Sequence, residues 1–392
     1  MARARRRVDA MTPPTNSPRR LRRGAPFPRA LTCADTVPRY PVAVPPPLRI
    51  GDPGELIAAL PALLGFVPER SLVVGVLCHG PRAGTAGIEA VVRFDLDALT
   101  GPDAPDRLAD CLGTLCVRER AIDLLAVVVD DRGAGTRRRA ALFAALDAAG
   151  PGLGGLWWVE RIVRGAPYRD LRGPHAGTVR DPAASPVAVA QVLDGKQIRR
   201  SRRELTDLVV AERGRVDAVL DELAAARARF ADALTAAARA DREAAYRRGA
   251  LEWTLWQIAG HADGEPRTDL ELAQLAALLA DRVLRDALYG LALGEYAGAA
   301  EALWIQLCRV TAGTDRAEAA ALAGFSAYLR GDGPLAGIAL AAATDADATH
   351  PMAVLLEAAL QSGLRPERLR RLAESGHAIA AELGVDLGPV CR

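Results

Sequence analysis

The residues whose types and spacing could do chemistry are concentrated in one run, Asp130-Asp131-Arg132-Gly133-Ala134-Gly135-Thr136. An apolar strand pattern precedes it and a helical pattern follows. Its carboxylates therefore fall at the carboxyl end of a strand, where ligands of open α/β sheets bind. Gly133 and Gly135 would let backbone N–H groups approach an anion. The start of the next helix, with Thr136 and Arg137, would favour the negative charge. The run lacks the Gly-Lys-Ser/Thr ending of a phosphate-binding P-loop and is not G-x-G-x-x-G. The same residues also make an ordinary capped strand-to-helix loop.

A second constellation is acidic. Asp95 and Asp97 close the second strand, Asp130 and Asp131 the third, and Glu160 lies on the fourth. If the strand order brings these ends together, Asp95, Asp130 and Asp131 can hold a divalent cation through oxygen, or two of the acids can share acid/base work. Turns and caps also attract aspartate for their own reasons. A third stretch, the arginine-rich loop Arg161–Asp170 followed by His175, offers charge without a recognisable motif. The histidines, at 79, 175, 261, 350 and 377, form no local ligand pair. Neither a nucleophile elbow nor H-E-x-x-H occurs.

The elements that must position these residues are legible from periodicity. Asp52 is a helix cap and Pro53 a first-turn proline. Leu56, Leu60, Leu63 and Leu64 share one helical face. Pro61 predicts a kink or break near Leu60, and Gly65 a left-handed end. Ser71–Leu77 is a short β-branched run of the kind buried on both faces. Strands over 88–95, 123–129 and 156–163 alternate with helices over 105–118 and 136–149. This pattern predicts a mainly parallel sheet with crossovers. The link between the first two strands is short and glycine-rich, which predicts one antiparallel pair. Residues 164–184 read as a long irregular loop. From 185 the chain reads as helices separated by Gly, Asp or Pro, including 268–293, 296–311, 315–330, 333–344, 351–362 and 366–382. Residues 323–351 resemble one tetratricopeptide-type unit, so the helical region is either repeat-like or a plain bundle. The expected organisation is a basic, disordered Pro/Arg-rich tail over 1–47, an α/β domain over 48–195 and a helical domain over 196–392.

Composition narrows the function classes. Only 4% of residues are aromatic although half are hydrophobic, so the core must rest on Ala, Leu and Val. Lysine occurs once, at Lys196, so arginine abundance carries little functional meaning. The net charge is +2, yet residues 1–30 alone carry +8 and 31–47 are neutral, which leaves −6 on residues 48–392. A slightly acidic body argues against a general nucleic-acid binder and leaves only weak association through the tail. The six cysteines form no CxxC pair, and Cys111 and Cys116 lack a common zinc spacing. No apolar run approaches the ~18 residues of a membrane span, and no secretory h-region is present.

Four segments carry a family resemblance. They are GDPGELIAALPALLGFVPERSLVVGVL at 51–77, IDLLAVVVDD at 122–131, SPVAVAQVLDGKQIRRSRREL at 185–205, and the helical stretch 322–351. Together they resemble an actinobacterial family known as domain of unknown function 4192. The resemblance implies a cytoplasmic protein with an α/β-then-α plan and no established activity. A cysteine-rich stretch common after the Trp-containing strand of that family is missing here, so no metal or redox role carries over from it.

Taken together, the residues favour a non-catalytic ligand-binding or scaffold protein, with a protein partner held through the helical region. The alternative is a Mg-dependent enzyme acting on a nucleotide or other phosphorylated substrate through Asp130, Asp131, Gly133, Gly135 and Thr136. The sequence names no cofactor.

Overall fold

The computed structural model describes residues 52–80, 85–99, 103–133, 136–193 and 197–390. The basic tail expected over 1–47 lies outside them. Residues Ile50–Arg392 form one compact unit.

Helix α1 (Pro53–Leu64) starts as its residues dictate. The Asp52 side chain accepts from the Glu55 N–H at 3.0 Å, and Gly65 ends the helix with φ 75°. Pro61 does not break it. The helix runs on to Leu64, because Leu60, Pro61, Ala62 and Leu64 are all buried and that packing offsets one missing hydrogen bond. The chain then forms β1 (Ser71–His79), β2 (Ala86–Asp95), α2 (Ala104–Glu119), β3 (Asp123–Val129), α3 (Thr136–Ala149), β4 (Leu153–Val159), β5 (Pro167–Asp170) and β6 (Ala176–Thr178).

The sheet order is β2-β1-β3-β4-β5-β6. Only β3 and β4 run parallel, and the other four neighbouring pairs are antiparallel. The expectation of a mainly parallel sheet is corrected by this pairing. The α2 connection carries the chain over β1, so the two like-directed strands it joins, β2 and β3, are not neighbours. The β1–β2, β4–β5 and β5–β6 links are too short for crossovers. The strand expected at 156–163 lies at 153–159, and the loop expected over 164–184 contains the β5–β6 hairpin. Strands this short, rich in Gly, Pro and Arg, carry almost no period-2 signal.

β1 is buried on both faces, as its composition implies. Leu72, Val74 and Val76 pack with Leu108, Leu112 and Leu115 of α2 and Leu142 and Leu146 of α3. Val73, with Val127, Val129 and Val159 of its neighbours, packs with α1 and the helical region. The sheet thus separates two helical layers.

The helical layer comprises α4 (Pro186–Leu193), α5 (Arg202–Asp207), α6 (Arg213–Arg239), α7 (Glu243–Ala262), α8 (Asp269–Leu279), α9 (Arg282–Leu288), a 3-10 turn (Tyr289–Leu293), α10 (Ala297–Val310), α11 (Gly313–Leu329), α12 (Gly333–Ala346), α13 (Pro351–Gln361) and α14 (Pro366–Glu382). Helices α10 to α13 pack on their sequence neighbours, but α14 folds back on α9 and the 3-10 turn. A neighbour-only repeat array would not do this.

The return of α14 depends on two glycines in contact. A Cβ on Gly376 would lie 2.5 Å from the Gly290 nitrogen, and one on Gly290 would lie 2.8 Å from the His377 nitrogen. Both obstructions are backbone and cannot rotate away. Gly376→Ala is expected to destabilise the fold by about 2 kcal/mol, the scale of overpacking a tight contact. Urea unfolding of the two proteins checks this, and equal midpoints would contradict the packing described.

Candidate functional site

The structure does bring the acidic strand ends to one edge. Ser71, at the start of β1, pairs with Asp95 on one side and Val129 on the other, and Val129 pairs with Val159. Asp95, Asp130 and Glu160 therefore sit along one end of the sheet. They do not converge. β1 lies between β2 and β3, and two strand spacings put Asp95 about 10 Å from Asp130 at the backbone.

Arginines occupy the intervals. Arg132 donates from Nη1 to Asp97 at 2.6 Å and from Nε to Asp130 at 2.9 Å. Arg70 Nε reaches Asp131 at 3.3 Å, and Arg93 Nη2 reaches Asp95 at 3.2 Å. Asp130 is only 2% exposed, so its carboxylate faces inward. Hydrogen bonding by Asp130, and after it Asp97, holds the Arg132 guanidinium above the usual arginine range. Glu160 meets Arg161 at 3.6 Å. Arg70, with φ 43°, turns the chain into β1, and its carbonyl accepts from Leu96 N–H at 2.9 Å; its neighbour Glu69 is exposed.

Gly133 has φ 79° and turns the chain toward α3, of which Thr136 and Arg137 are the first two residues. Gly135 lies outside the described residues. Among the described residues no group of three His, Cys, Asp or Glu side chains is placed to hold a metal ion. What the strand ends make is an ion-paired rim.

The buried histidine, His350, is a cap. Its Nδ1 accepts from the Ala353 N–H at 3.1 Å and starts α13. Its Nε2 lies 3.1 Å from Glu318 Oε2, though poorly aligned for a hydrogen bond, and the other Glu318 oxygen meets Arg285 at 2.8 Å. His175 is exposed in the β5–β6 turn.

A cleft of about 860 Å³ lies elsewhere. Its floor is the consecutive β2 run Glu89–Arg93. One wall is α2, through Thr114, Leu115 and Arg118, and the other is α12 with the α13–α14 junction, through Gly337, Leu360 and Leu364. The sheet separates the layers to which these walls belong. A space that touches both layers, and five successive residues of the outermost strand, must run along the free edge of β2.

One end of the cleft is clasped. Arg365 Nη2 bridges Glu89 at 2.8 Å and Glu119 at 3.0 Å, Arg118 Nε meets Glu119 at 2.7 Å, and Arg118 also donates to the Ser362 carbonyl. Burial alone would raise the Glu119 carboxyl, but its hydrogen bonds from Arg118 and Arg365 prevail and hold it below the usual range. The bonds at Glu89 follow from a bulge. Val76 pairs with Ala90 and Leu77 with Ile88, so Glu89 is the extra residue that reaches out to Arg365.

The other end is positive. Arg93 donates from Nε to Ser71 Oγ at 2.7 Å as well as pairing with Asp95. Arg202, exposed at the start of α5, lines the same cleft, and no carboxylate among the described residues lies within ion-pair distance of it. Burial lowers Arg93, Asp95 opposes this, and the like charge of Arg202 adds to the lowering.

The model of the family described as Domain of unknown function (DUF4192) matches residues 53–367. The chain belongs to that family. No curated protein and no solved structure matches it. The matched span of this DUF4192 member takes in the strand-end rim and every residue that lines the cleft. The cleft was beyond sequence reasoning, because its walls come from residues more than two hundred positions apart. The available signal was the pair of charges, Glu89 and Arg93, set among the apolar residues of β2.

With the strand-end acids neutralised by arginines, millimolar Mg²⁺ is expected to leave the thermal midpoint of this DUF4192 protein unchanged. A saturable rise on Mg²⁺ titration would show that a carboxylate site forms after all.

Proposed function

We propose that this protein is a non-catalytic binding protein whose site is the cleft between the β2 edge, α2 and the α12–α14 end of the helical layer. The observation that carries this reading is the cleft's make-up. Its volume of about 860 Å³ falls within the range of ligand sites. Apolar residues such as Leu115, Val91 and Leu360 line it together with a few charged groups, and Arg202 has no ion-pair partner among the described residues.

The same geometry supports the expectation that the helical region presents a groove to a partner, with one revision: the groove needs the sheet edge as its floor. It also supports an anionic ligand, with Arg93 and Arg202, rather than the Gly133–Arg137 run, as the receiving cations. The absence of a membrane-length apolar helix among the described residues is consistent with a cytoplasmic setting. A Mg-dependent reaction at the strand ends has no comparable support, since each aspartate there is committed to an arginine.

Thr114 is exposed and lines the cleft, so Thr114→Trp fills the space without disturbing the core. In a thermal-shift screen of anionic metabolites and short peptides, at least one compound is expected to stabilise the wild type. A ligand present at a hundred times its Kd contributes about 2.7 kcal/mol. That stabilisation should vanish in Thr114→Trp. Stabilisation that survives the substitution, or none from any compound, would overturn the reading.

A further inference from the structure

Among the described residues, β2 is one of the two edge strands of its sheet. In an antiparallel pair, every second residue turns its N–H and C=O away from the neighbour. On β2 these groups point into the cleft, because the cleft runs along the free edge over Glu89–Arg93. Among the described residues no backbone hydrogen bond outside the β1 ladder reaches that stretch. An open edge of this kind is a template for another strand, and proteins usually cover it, twist it or charge it. Here the walls stand on either side of it and the space between is wide enough to hold a ligand.

From this we infer that the cleft binds an extended segment of another polypeptide, which adds a strand to the free edge of β2 and places a carboxylate between Arg93 and Arg202. This rests on the reading of the cleft as a binding site and names its ligand. Three features select the occupant. The row of unpaired main-chain groups suits a peptide backbone, since a ladder of such bonds gives affinity without sequence demands. The floor from Glu89 to Arg93 is about 14 Å long at strand rise, which fits a segment of four to five residues. The charge is complementary at one end only: Glu89 is consumed by Arg365, whereas Arg202 has no acid partner among the described residues and adds to the charge of Arg93. The bulge at Glu89 ends regular pairing at the clasped end. A docked strand therefore has its register set by the clasp at one end and by the arginines at the other. Pockets for its alternate side chains are offered by Leu115 and Thr114 on the α2 side and by Gly337 and Leu360 on the other.

The test starts from a display library of random octapeptides, panned against the purified full chain. Enriched peptides are expected to carry Asp, Glu or a free C-terminal carboxylate at one fixed position. The strongest is then synthesised and its affinity measured by fluorescence anisotropy. Arg202→Glu, an exposed change, should weaken it at least about tenfold, the loss of one charge-assisted hydrogen bond. Backbone N-methylation at one alternate set of peptide positions should abolish binding, and at the other set should be tolerated. This signature of strand addition is read on the unmodified protein and needs no variant to fold. Failure to enrich any peptide, indifference to Arg202→Glu, or equal tolerance of both N-methylated sets would each overturn the inference. If small anions bind in a manner lost in Thr114→Trp while no peptide enriches, the cleft is a site for another ligand and only the peptide inference falls. If neither binds, both fall.

Discussion

The architecture depends on burying one strand on both faces. β1 has no polar face to give to water, so the protein must supply a helical layer on each side of it. One layer is local, α2 and α3, closed by the βα connections. The other is α1 together with the helical region that follows the sheet. At the β2 side, α2 from one layer and α12 and α13 from the other line a cleft whose floor is β2. The same constraint that specifies the core therefore leaves a space of ligand size along the β2 edge.

Electrostatics separate the two places where charged side chains gather. At the strand ends, carboxylates and guanidiniums alternate, and each aspartate is paired with an arginine. In the cleft the balance is broken. Glu89 and Glu119 are absorbed by Arg365 and Arg118 at one end, and at the other no acid among the described residues pairs with Arg202. The exposed ion pairs of the rim, such as Arg70–Asp131, contribute little to stability, about 0–1 kcal/mol each. Their effect here is to occupy the acids that could otherwise have served a metal.

Much of this was legible in the residues. Asp52, Pro53 and Gly65 mark the ends of α1, and β3 and α3 fall where their patterns place them. The helices from α10 onward match because Gly, Asp and Pro punctuate them, whereas the single element expected over 268–293 is divided into α8, α9 and the 3-10 turn, with Asp281 capping α9. What the residues could not disclose was partnership. Ser71–Leu77 announces a doubly buried strand but not that its neighbours run against it, and the count of strands and helices does not show that the α2 connection passes over β1. β5 and β6 escaped because Tyr168 and Gly177 lie in strands too short for a period. Asp130 and Asp131 were correctly placed at a strand end. Their arginine partners at 70 and 132 were also visible, but pairing across 61 residues, as between Arg70 and Asp131, is a property of the fold alone. The cleft is more extreme, since Glu119 and Arg365 meet across 246 positions.

The central claim is that the outer edge of β2 is a free hydrogen-bonding edge. Residue-resolved amide hydrogen exchange of the full chain tests it most directly. Over Ala90–Phe94 the account predicts strict alternation, with amides bonded to β1 protected and those between them exchanging close to the rate of exposed amides. Uniform protection across these residues would contradict it, because the edge would then be satisfied within the protein and closed to any added strand.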